Sequence, residues 1–483
     1  MNKKRHNTDA VFRRSVLRVT GFISLLTLLY TVMSVERLFS RNPDRNYYLR
    51  NFFTQQAKSM LNGQLDVDVN SLYGECFKVE DNCYGYFGVG PSVLRLPFLL
   101  FNETSGFTSV MVIVSTFMGL VFALLILNEL WNYFEIDNLA AKGISSKYVR
   151  AVFVALAVSV GPGNLLMQGA FPSGYWEAIA WGTGFTFSGL YFLIKYLFSN
   201  KRYFIWLAIA SFTLGANSRP NVAIVSFAVG FTLLFLKKKQ KLYSVENGKY
   251  LDYFMLALTP ASTMFAIFWL KFRMFIPDLT LNIQVPENSN WAEIYRINGG
   301  KSSGIEFIPS NFLAYFRPDS ISFTGWVPEL LRPTIYPFHY VWPLSEGGMY
   351  VETSASVTAL APFAMILTIV LVNSAIRMAQ PIALSFNNNL KKKVTLKPPL
   401  NWLFLTASVG VIVPLTFVGN SHRYLVDFAP GVTLGSILGA RYILKRQYSG
   451  IEKLLILTLT LIAFLGTVVN VLVAINQKNL WTI

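Results

Sequence analysis

The feature that most constrains this chain is a series of apolar runs, each about as long as a membrane is thick. A helix that crosses the hydrocarbon core needs about 20 mostly apolar residues. We predict eleven such spans, at Val19–Val35, Val110–Trp131, Tyr148–Leu166, Tyr175–Phe198, Tyr203–Gly215, Val222–Leu236, Tyr250–Leu270, Val357–Val372, Trp402–Val418, Leu425–Leu444 and Leu454–Ile475. The fold class that follows is an all-α polytopic integral membrane protein.

Composition supports this interpretation and excludes several other classes of protein. Hydrophobic residues make up 53% of the 483 residues and charged residues only 14%, whereas soluble domains are about 25% charged. A cytosolic enzyme, a disordered chain and a collagen-like chain are therefore excluded. The net charge of +17 could suggest a nucleic-acid partner, but an excess of Lys and Arg in cytoplasmic loops explains it better. We expect no nucleic acid among the partners.

The distribution of basic residues predicts the orientation of the chain. Glu36 and Arg37 follow the first apolar run, where a cleaved signal peptide would have small residues, so we expect an uncleaved first helix. With the N-terminus in the cytoplasm, the clusters Lys237–Lys239 and Lys391–Lys393 lie on the inner side and flank apolar spans. This is where the positive-inside rule has most force.

This topology leaves two large outer loops in a single membrane domain that spans residues 1–483. The first loop covers residues 36–109 and the second covers residues 271–356. Loops of this length in a compact protein usually have a function. The location that follows is the plasma membrane or a bacterial inner membrane, with the functional site on the extracytoplasmic side.

The first loop contains a segment with helical periodicity that ends at Gly63. Its apolar residues are Tyr48, Leu49, Phe52, Phe53, Ala57, Met60 and Leu61, and polar residues occupy the other face. This pattern predicts an amphipathic helix that lies on the outer membrane surface. The alternative is a helix that packs on the transmembrane bundle and has no catalytic role.

Cys76 and Cys83 are the two cysteines of the chain, and both fall in the first loop. An outer compartment permits a disulfide between them, with two free thiols as the alternative. A metal site is not expected, because the chain has three histidines and none lies in this loop.

A turn rich in glycine and aromatic residues follows, with the sequence YGYFGVGP at positions 84–91. It lacks the Lys-Ser/Thr ending of a phosphate-binding loop. We take Tyr84 and Tyr86 as candidate substrate-binding residues. Arg95 follows the turn, and it either contacts a ligand or extends to the membrane interface.

Ionisable residues close to the spans are functional candidates, because charges are costly in lipid. Glu177, Arg219 and Arg423 all fall on the outer side in the predicted topology. We expect them to contribute to one common substrate-binding site. The alternative is a structural role for each, such as a helix cap or an ion pair between Arg423 and Asp427.

The order and sidedness of these motifs resemble those of GT-C glycosyltransferases, in particular the protein O-mannosyltransferase-like group and the lipid A aminoarabinose transferase. The motifs are AKSMLNGQLDV, YGYFGVGPSVLRLPF, YWEAIAW, SRPN and HRYLVDFAP, and they lie between residues 15 and 440. The resemblance implies a GT-C-like fold with about eleven spans. It also implies transfer of a sugar from a polyprenyl-phosphate donor to a glycan, lipid or protein acceptor outside the membrane.

In that family an acidic residue of the first loop acts as the base, usually just before the surface helix. Arg50 and Asn51 occupy the positions directly before Phe52 here, so the sequence departs from the family pattern. The nearest upstream acid, Asp44, is the assigned base, and Glu36 is the alternative. The lipid-linked sugar would be a substrate, and we expect neither a metal nor another cofactor.

The chemistry of the transfer also needs positive groups for the phosphate that leaves, because negative charge develops there. Arginine suits this role because its planar fork binds phosphate oxygens in pairs. Arg219 and Arg423 are the leading candidates, followed by Arg95. Two other functions stay open, namely a transporter or flippase for a lipid-linked substrate and a non-catalytic GT-C-like binding protein.

Overall fold

The computed structural model describes residues 2–41, 50–72, 76–99, 107–134, 146–238, 249–275, 303–324, 327–330, 350–351, 354–384, 400–444 and 450–476. These residues are mostly helical and form very little sheet. The helices are α1 Asn2–Arg41, α2 Phe52–Leu61, α3 Gly90–Leu99, α4 Phe107–Tyr133, α5 Ser146–Val160, α6 Gly174–Ser199, α7 Tyr203–Ala216, α8 Asn221–Lys238, α9 Tyr250–Phe272, α10 Ile308–Phe316, α11 Val357–Leu360, α12 Pro362–Leu384, α13 Asn401–Ser408, α14 Ile412–Thr416, α15 Ala429–Leu444 and α16 Gly450–Asn476. The all-α class predicted from the sequence is confirmed.

Among the described residues, six helices are long and apolar enough to cross a membrane. They are Asp9–Glu36, Phe107–Tyr133, Ser146–Gly169, Asn221–Lys238, Tyr250–Phe272 and Lys453–Asn476. Shorter apolar helices cover Tyr203–Ala216, Pro362–Ser374 and Asn401–Thr416. The chain is therefore a membrane protein by the length and composition of its helices, and the count of eleven spans stays a prediction.

Helix α6 forms the centre of the bundle and is buried along most of its 26 residues. It packs along α4 and α7. Glycines permit the close approach, since a Cβ added at Gly119 of α4 would lie 3.1 Å from the Cα of Gly184. Small residues are common where membrane helices meet, because packing rather than water exclusion holds such helices together.

The first-loop helix α2 packs on the protein. Its residues Phe52 and Phe53 are fully buried in one cluster with Phe87 of the turn and Ala178 of α6, and Ala57 is fully buried as well. The prediction of a helix at this position was right. The apolar face of α2 packs against protein, which corresponds to the alternative of a helix packed on the transmembrane bundle.

A short antiparallel hairpin follows α2, with strands β1 Phe77–Val79 and β2 Asn82–Tyr84. Cys76 and Cys83 form a disulfide across the base of this hairpin. The next residues lead through the glycine-rich turn into α3. The hairpin and the disulfide therefore define where the turn begins.

The described part of the second loop contains α10 and the antiparallel strands β3 Ile321–Thr324 and β4 Val327–Leu330. A further strand, β5 Tyr350–Val351, pairs in parallel with β6 Gly419–Asn420. Asn311 of α10 donates hydrogen bonds to the carbonyls of Leu415 and Phe417, at 3.0 and 2.7 Å. The second loop thus packs on the segment that carries Arg423.

Candidate functional site

Arg219 lies in the connection between α7 and α8 and forms an ion pair with Asp427. Its Nε and Nη2 donate to the two carboxylate oxygens at 3.3 and 2.6 Å, and Asn221 Nδ2 donates to Oδ1 at 2.9 Å. Burial alone would lower the pKa of Arg219, but the Asp427 carboxylate outweighs it and raises that pKa. Arg219 is therefore charged. Within the described part of the chain, Arg219 Nη1 has no hydrogen bond.

Arg423 lies beside Arg219, and the two guanidinium groups share one aromatic ring. The guanidinium of Arg219 is 5.0 Å from the centre of the Tyr424 ring, and that of Arg423 is 5.3 Å from the same centre. Arg423 also stacks on Tyr175 at 4.5 Å. The suggested ion pair between Arg423 and Asp427 was wrong, because Asp427 is bonded to Arg219 and Asn221.

The first loop reaches this place through Tyr86. The ring centroid of Tyr86 lies 6.2 Å from that of Tyr175, on which the guanidinium of Arg423 stacks. We call Arg219, Arg423, Tyr86, Tyr175 and Tyr424 the arginine–tyrosine cluster. All five side chains are half-buried, so they are ordered by packing and still reachable from solvent.

The charges of the cluster suit an anion. Two arginines and the carboxylate of Asp427 together carry one net positive charge. Tyrosine hydroxyls can add hydrogen bonds to an anion, and arginine can offer two parallel N–H groups to a phosphate. The cluster is therefore chemically suited to bind a phosphate ester at the end of the helix bundle.

Arg95 and Glu177 form a separate ion pair inside the protein. Nη2 of Arg95 lies 2.5 Å from the Glu177 carboxylate, and the two side chains are 1% and 0% exposed. Arg95 also donates to Thr54 of α2 and Thr108 of α4, at 2.6 and 3.0 Å. The pair joins α2, α3, α4 and α6, and a substrate contact by either residue would require this ion pair to open.

Of the two candidate bases, the structure describes Glu36. It accepts a hydrogen bond of 2.5 Å from Arg50. The preceding residue, Val35, packs with Phe171 and Trp176 against Tyr175 of the arginine–tyrosine cluster. Glu36 therefore comes from a segment next to that cluster. Asp44 lies outside the described residues.

Tyr84 lies apart from the arginine–tyrosine cluster. Its ring contacts Phe272 of α9 at 6.1 Å between centroids. Burial, with a further contribution from Asp66, raises the pKa of Tyr84. The structure thus separates the two tyrosines of the turn, since Tyr86 joins the cluster and Tyr84 packs on α9.

Sequence reasoning missed three residues of this region. Tyr175 and Tyr424 were overlooked although each stands within two residues of a charged candidate, Glu177 or Arg423. Lys271 was assigned to a loop boundary, but it is a buried lysine in the last turn of α9. A charge inside an otherwise apolar helix was the signal that could have identified it.

Within the ranges that the structure describes, no group of three or more His, Cys, Asp or Glu residues could hold a metal ion. Comparison with models of known protein families gives no match for this chain. Comparison with curated proteins gives no match either.

Proposed function

We propose that this protein is a membrane glycosyltransferase of the GT-C type. It transfers a sugar from a polyprenyl-phosphate-linked donor to an acceptor glycan, lipid or protein. The observation that carries the proposal is the arginine–tyrosine cluster, in which two arginines, three tyrosines and one paired aspartate meet at one end of the bundle. A phosphate at a membrane boundary is the ligand whose charge and geometry fit these groups best.

The reaction follows from the chemistry of such a donor. An acceptor hydroxyl attacks the anomeric carbon, the bond from that carbon to the phosphate oxygen breaks, and the polyprenyl phosphate leaves. A first-loop carboxylate, Asp44 or Glu36, takes the hydroxyl proton, which contributes about 10²–10⁴ in rate for a general base. Arg219 and Arg423 stabilise the negative charge on the leaving phosphate. A single displacement of this kind inverts the anomeric configuration.

The proposal includes a membrane topology. About eleven helices cross the plasma membrane or a bacterial inner membrane, the N-terminus is cytoplasmic, and both large loops are extracytoplasmic. Contacts of the two loops with neighbouring segments support this arrangement. The first loop contributes Tyr86 to the cluster, and the second loop packs on the strand that precedes Arg423.

Substitution of Arg219 tests the function. Arg219→Lys keeps the positive charge but loses the paired N–H groups of the guanidinium. The rate of transfer from a radiolabelled polyprenyl-phosphate sugar should therefore fall roughly tenfold. Arg219→Ala should lower it by roughly 10²–10³-fold, the usual effect of removing one group that stabilises developing charge. Arg202→Ala is the matched control, because Arg202 also pairs with an aspartate, Asp252 at 2.8 Å, but at the other end of α7.

The outcomes separate the proposal from its alternatives. Full activity of Arg219→Ala at equal protein levels would contradict the role of Arg219. Binding of the donor without transfer to any acceptor would instead identify a binding protein, and movement of the intact donor across vesicles would identify a flippase. Mass spectrometry of outer-surface glycans with and without the protein would identify the sugar and the acceptor.

A further inference from the structure

Lys271 is the one fully buried lysine among the described residues, and its partners are unusual. Its side chain is 1% exposed. Its Nζ donates to two backbone carbonyls, those of Phe87 at 2.7 Å and Gly85 at 3.2 Å. No ion pair with a carboxylate is present for Lys271 in the described ranges.

Burial of this charge opposes folding. Removing an ammonium group from water is costly unless it is paired and hydrogen-bonded. The surroundings of Lys271 are largely apolar, since Phe268 and Phe272 on α9 pack there with Phe77 of the hairpin. A methionine at this position would fill a similar volume without that cost, so stability of the bundle alone does not account for a lysine.

The two carbonyls that Lys271 binds flank Tyr86 on both sides. Tyr86 is the first-loop member of the arginine–tyrosine cluster, and its neighbours in sequence are Gly85 and Phe87. The Lys271 Nζ, which donates to carbonyls of both residues that neighbour Tyr86, fixes the backbone that carries Tyr86. The lysine therefore acts at the place where the first loop meets Tyr175 of the arginine–tyrosine cluster.

Other contacts hold the same turn against α7. The amide of Gly90 donates to the carbonyl of Asn217 at 2.6 Å. A Cβ added at Gly88 would overlap the backbone of Asn217, and one added at Gly85 would lie 2.5 Å from the Phe52 ring. The turn thus packs between α2 and the α7–α8 connection. Lys271 of α9 holds it by hydrogen bonds to its carbonyls.

We infer that Lys271 is a positioning residue, which clamps the turn so that Tyr86 stays beside Tyr175 in the arginine–tyrosine cluster, the proposed phosphate site. This inference rests on the proposed function for the role of the site, but the clamp itself can be measured without any substrate. Preorganised groups bind more tightly because less freedom is lost on binding. Loss of the clamp should therefore weaken phosphate binding and act through Tyr86.

The first test is hydrogen exchange of the full-length protein in detergent. Lys271→Met keeps most of the length of the side chain and removes its hydrogen-bond donors. Amides of residues 84–90 should exchange roughly tenfold faster in this variant, whereas amides of α4 and α6 stay unchanged. Lys249→Met is the control, since Lys249 is an exposed lysine at the other end of α9 and should change neither region. Unchanged exchange in residues 84–90, or faster exchange throughout the bundle, would overturn the clamp.

The second test is a double-mutant cycle that uses farnesyl phosphate as the probe and farnesol as its phosphate-free counterpart. Lys271→Met should weaken binding of farnesyl phosphate roughly tenfold. In a Tyr86→Ala background, Lys271→Met should not weaken binding any further, because the side chain that Lys271 positions is absent. Equal losses in both backgrounds would show a general structural role and overturn the inference. If the wild-type protein binds farnesyl phosphate no better than farnesol while exchange still reports the clamp, the proposed function fails and the clamp stands.

Discussion

Asp427 occupies two of the three nitrogens of the Arg219 guanidinium, and this pairing sets how that arginine can act. Asp427 is 5% exposed, so its own charge depends on Arg219 and Asn221 for compensation. A ligand phosphate would contact Nη1 or compete with the carboxylate for the fork. The aspartate therefore keeps the arginine ordered and at the same time limits its affinity for an anion.

We expect Asp427→Asn to have two opposite effects. The free energy of unfolding should fall by about 1–3 kcal/mol, because the arginine loses its charged partner. Binding of farnesyl phosphate should become tighter, because no carboxylate competes with the phosphate for the Arg219 guanidinium. Asp252→Asn is the matched control, since Asp252 is 1% exposed and paired with Arg202, and it should lower stability without any effect on anion binding. Weaker anion binding by Asp427→Asn would contradict this view of the pair.

His422 illustrates how a single polar side chain can join distant segments. Its Nδ1 accepts from the amide of Ala355 at 3.2 Å, and its Nε2 lies 2.9 Å from Gln168 Oε1. Gln168 in turn donates to Asn470 of α16 at 2.8 Å. This geometry requires a neutral ring with the proton on Nε2, and burial lowers the pKa of His422 to about 3.

Stability should therefore depend on pH through His422. The ring takes up a proton near pH 6.5 in the unfolded chain but only near pH 3 in the folded protein. The stabilising effect is complete above pH 6.5 and is lost as the pH falls toward 3. Melting temperatures measured from pH 7 to pH 4 should fall less steeply for His422→Asn, whose amide oxygen can still accept from Ala355. Equal slopes for both proteins would contradict a neutral buried ring.

At the scale of elements, the β1–β2 hairpin matters because it leads directly into the turn that carries Tyr86. Its pairing places Cys83 opposite Lys78, one residue before Tyr84. Cys76 and Cys83 are 1% and 4% exposed, so the bond between them lies inside the loop. The disulfide shortens the free length of the chain next to the site.

Loss of this disulfide should loosen the hairpin. A closed loop this short corresponds to about 2–3 kcal/mol of chain entropy, so Cys76→Ser with Cys83→Ser should speed hydrogen exchange in residues 76–90. The purified wild-type protein should show no thiol that reacts with an alkylating agent until a reductant is added. Two reactive thiols without reductant would show that the bond does not form in the native protein.

At the scale of the whole molecule, the described parts of the two long loops pack at the same end of the bundle. The first loop packs on α6, α9 and the α7–α8 connection, and the second pairs with the strand that precedes His422. Lys237 and Lys238 lie in the last turn of α8, at the end away from the α7–α8 connection. A membrane around these helices would place the loops together on one side.

Cysteine labelling tests that arrangement in a background with Cys76→Ser and Cys83→Ser. A cysteine at Ser303 should react with a reagent that cannot cross the membrane, and a cysteine at Asn388 should react only after the membrane is opened. Both positions come from polar segments, so accessibility depends on the side of the membrane. The reverse labelling pattern would contradict the proposed topology and, with it, the extracytoplasmic location of the proposed site.

The sequence by itself determined what depends on composition and local periodicity. Apolar runs predicted where α4, α8 and α9 lie, because lipid accepts only long apolar helices with paired backbones. The spacing of apolar residues located α2, and two cysteines near each other predicted a pair that the structure contains as a disulfide. Arg219, Arg423 and Glu177 stood out as functional candidates because each places a charge at the end of an apolar span, where a charge is costly in free energy.

Tertiary structure alone decided which of these charges meet. Arg219 and Asp427 are 208 residues apart in the chain, so no local sequence pattern reveals that they are paired. The ion pair between Arg95 and Glu177 is likewise a long-range contact. Lys271 acquires a role only because the glycine-rich turn folds back onto the end of α9. Periodicity reports which face of a helix is apolar, whereas the partners of a buried charge depend on how helices distant in sequence pack against each other.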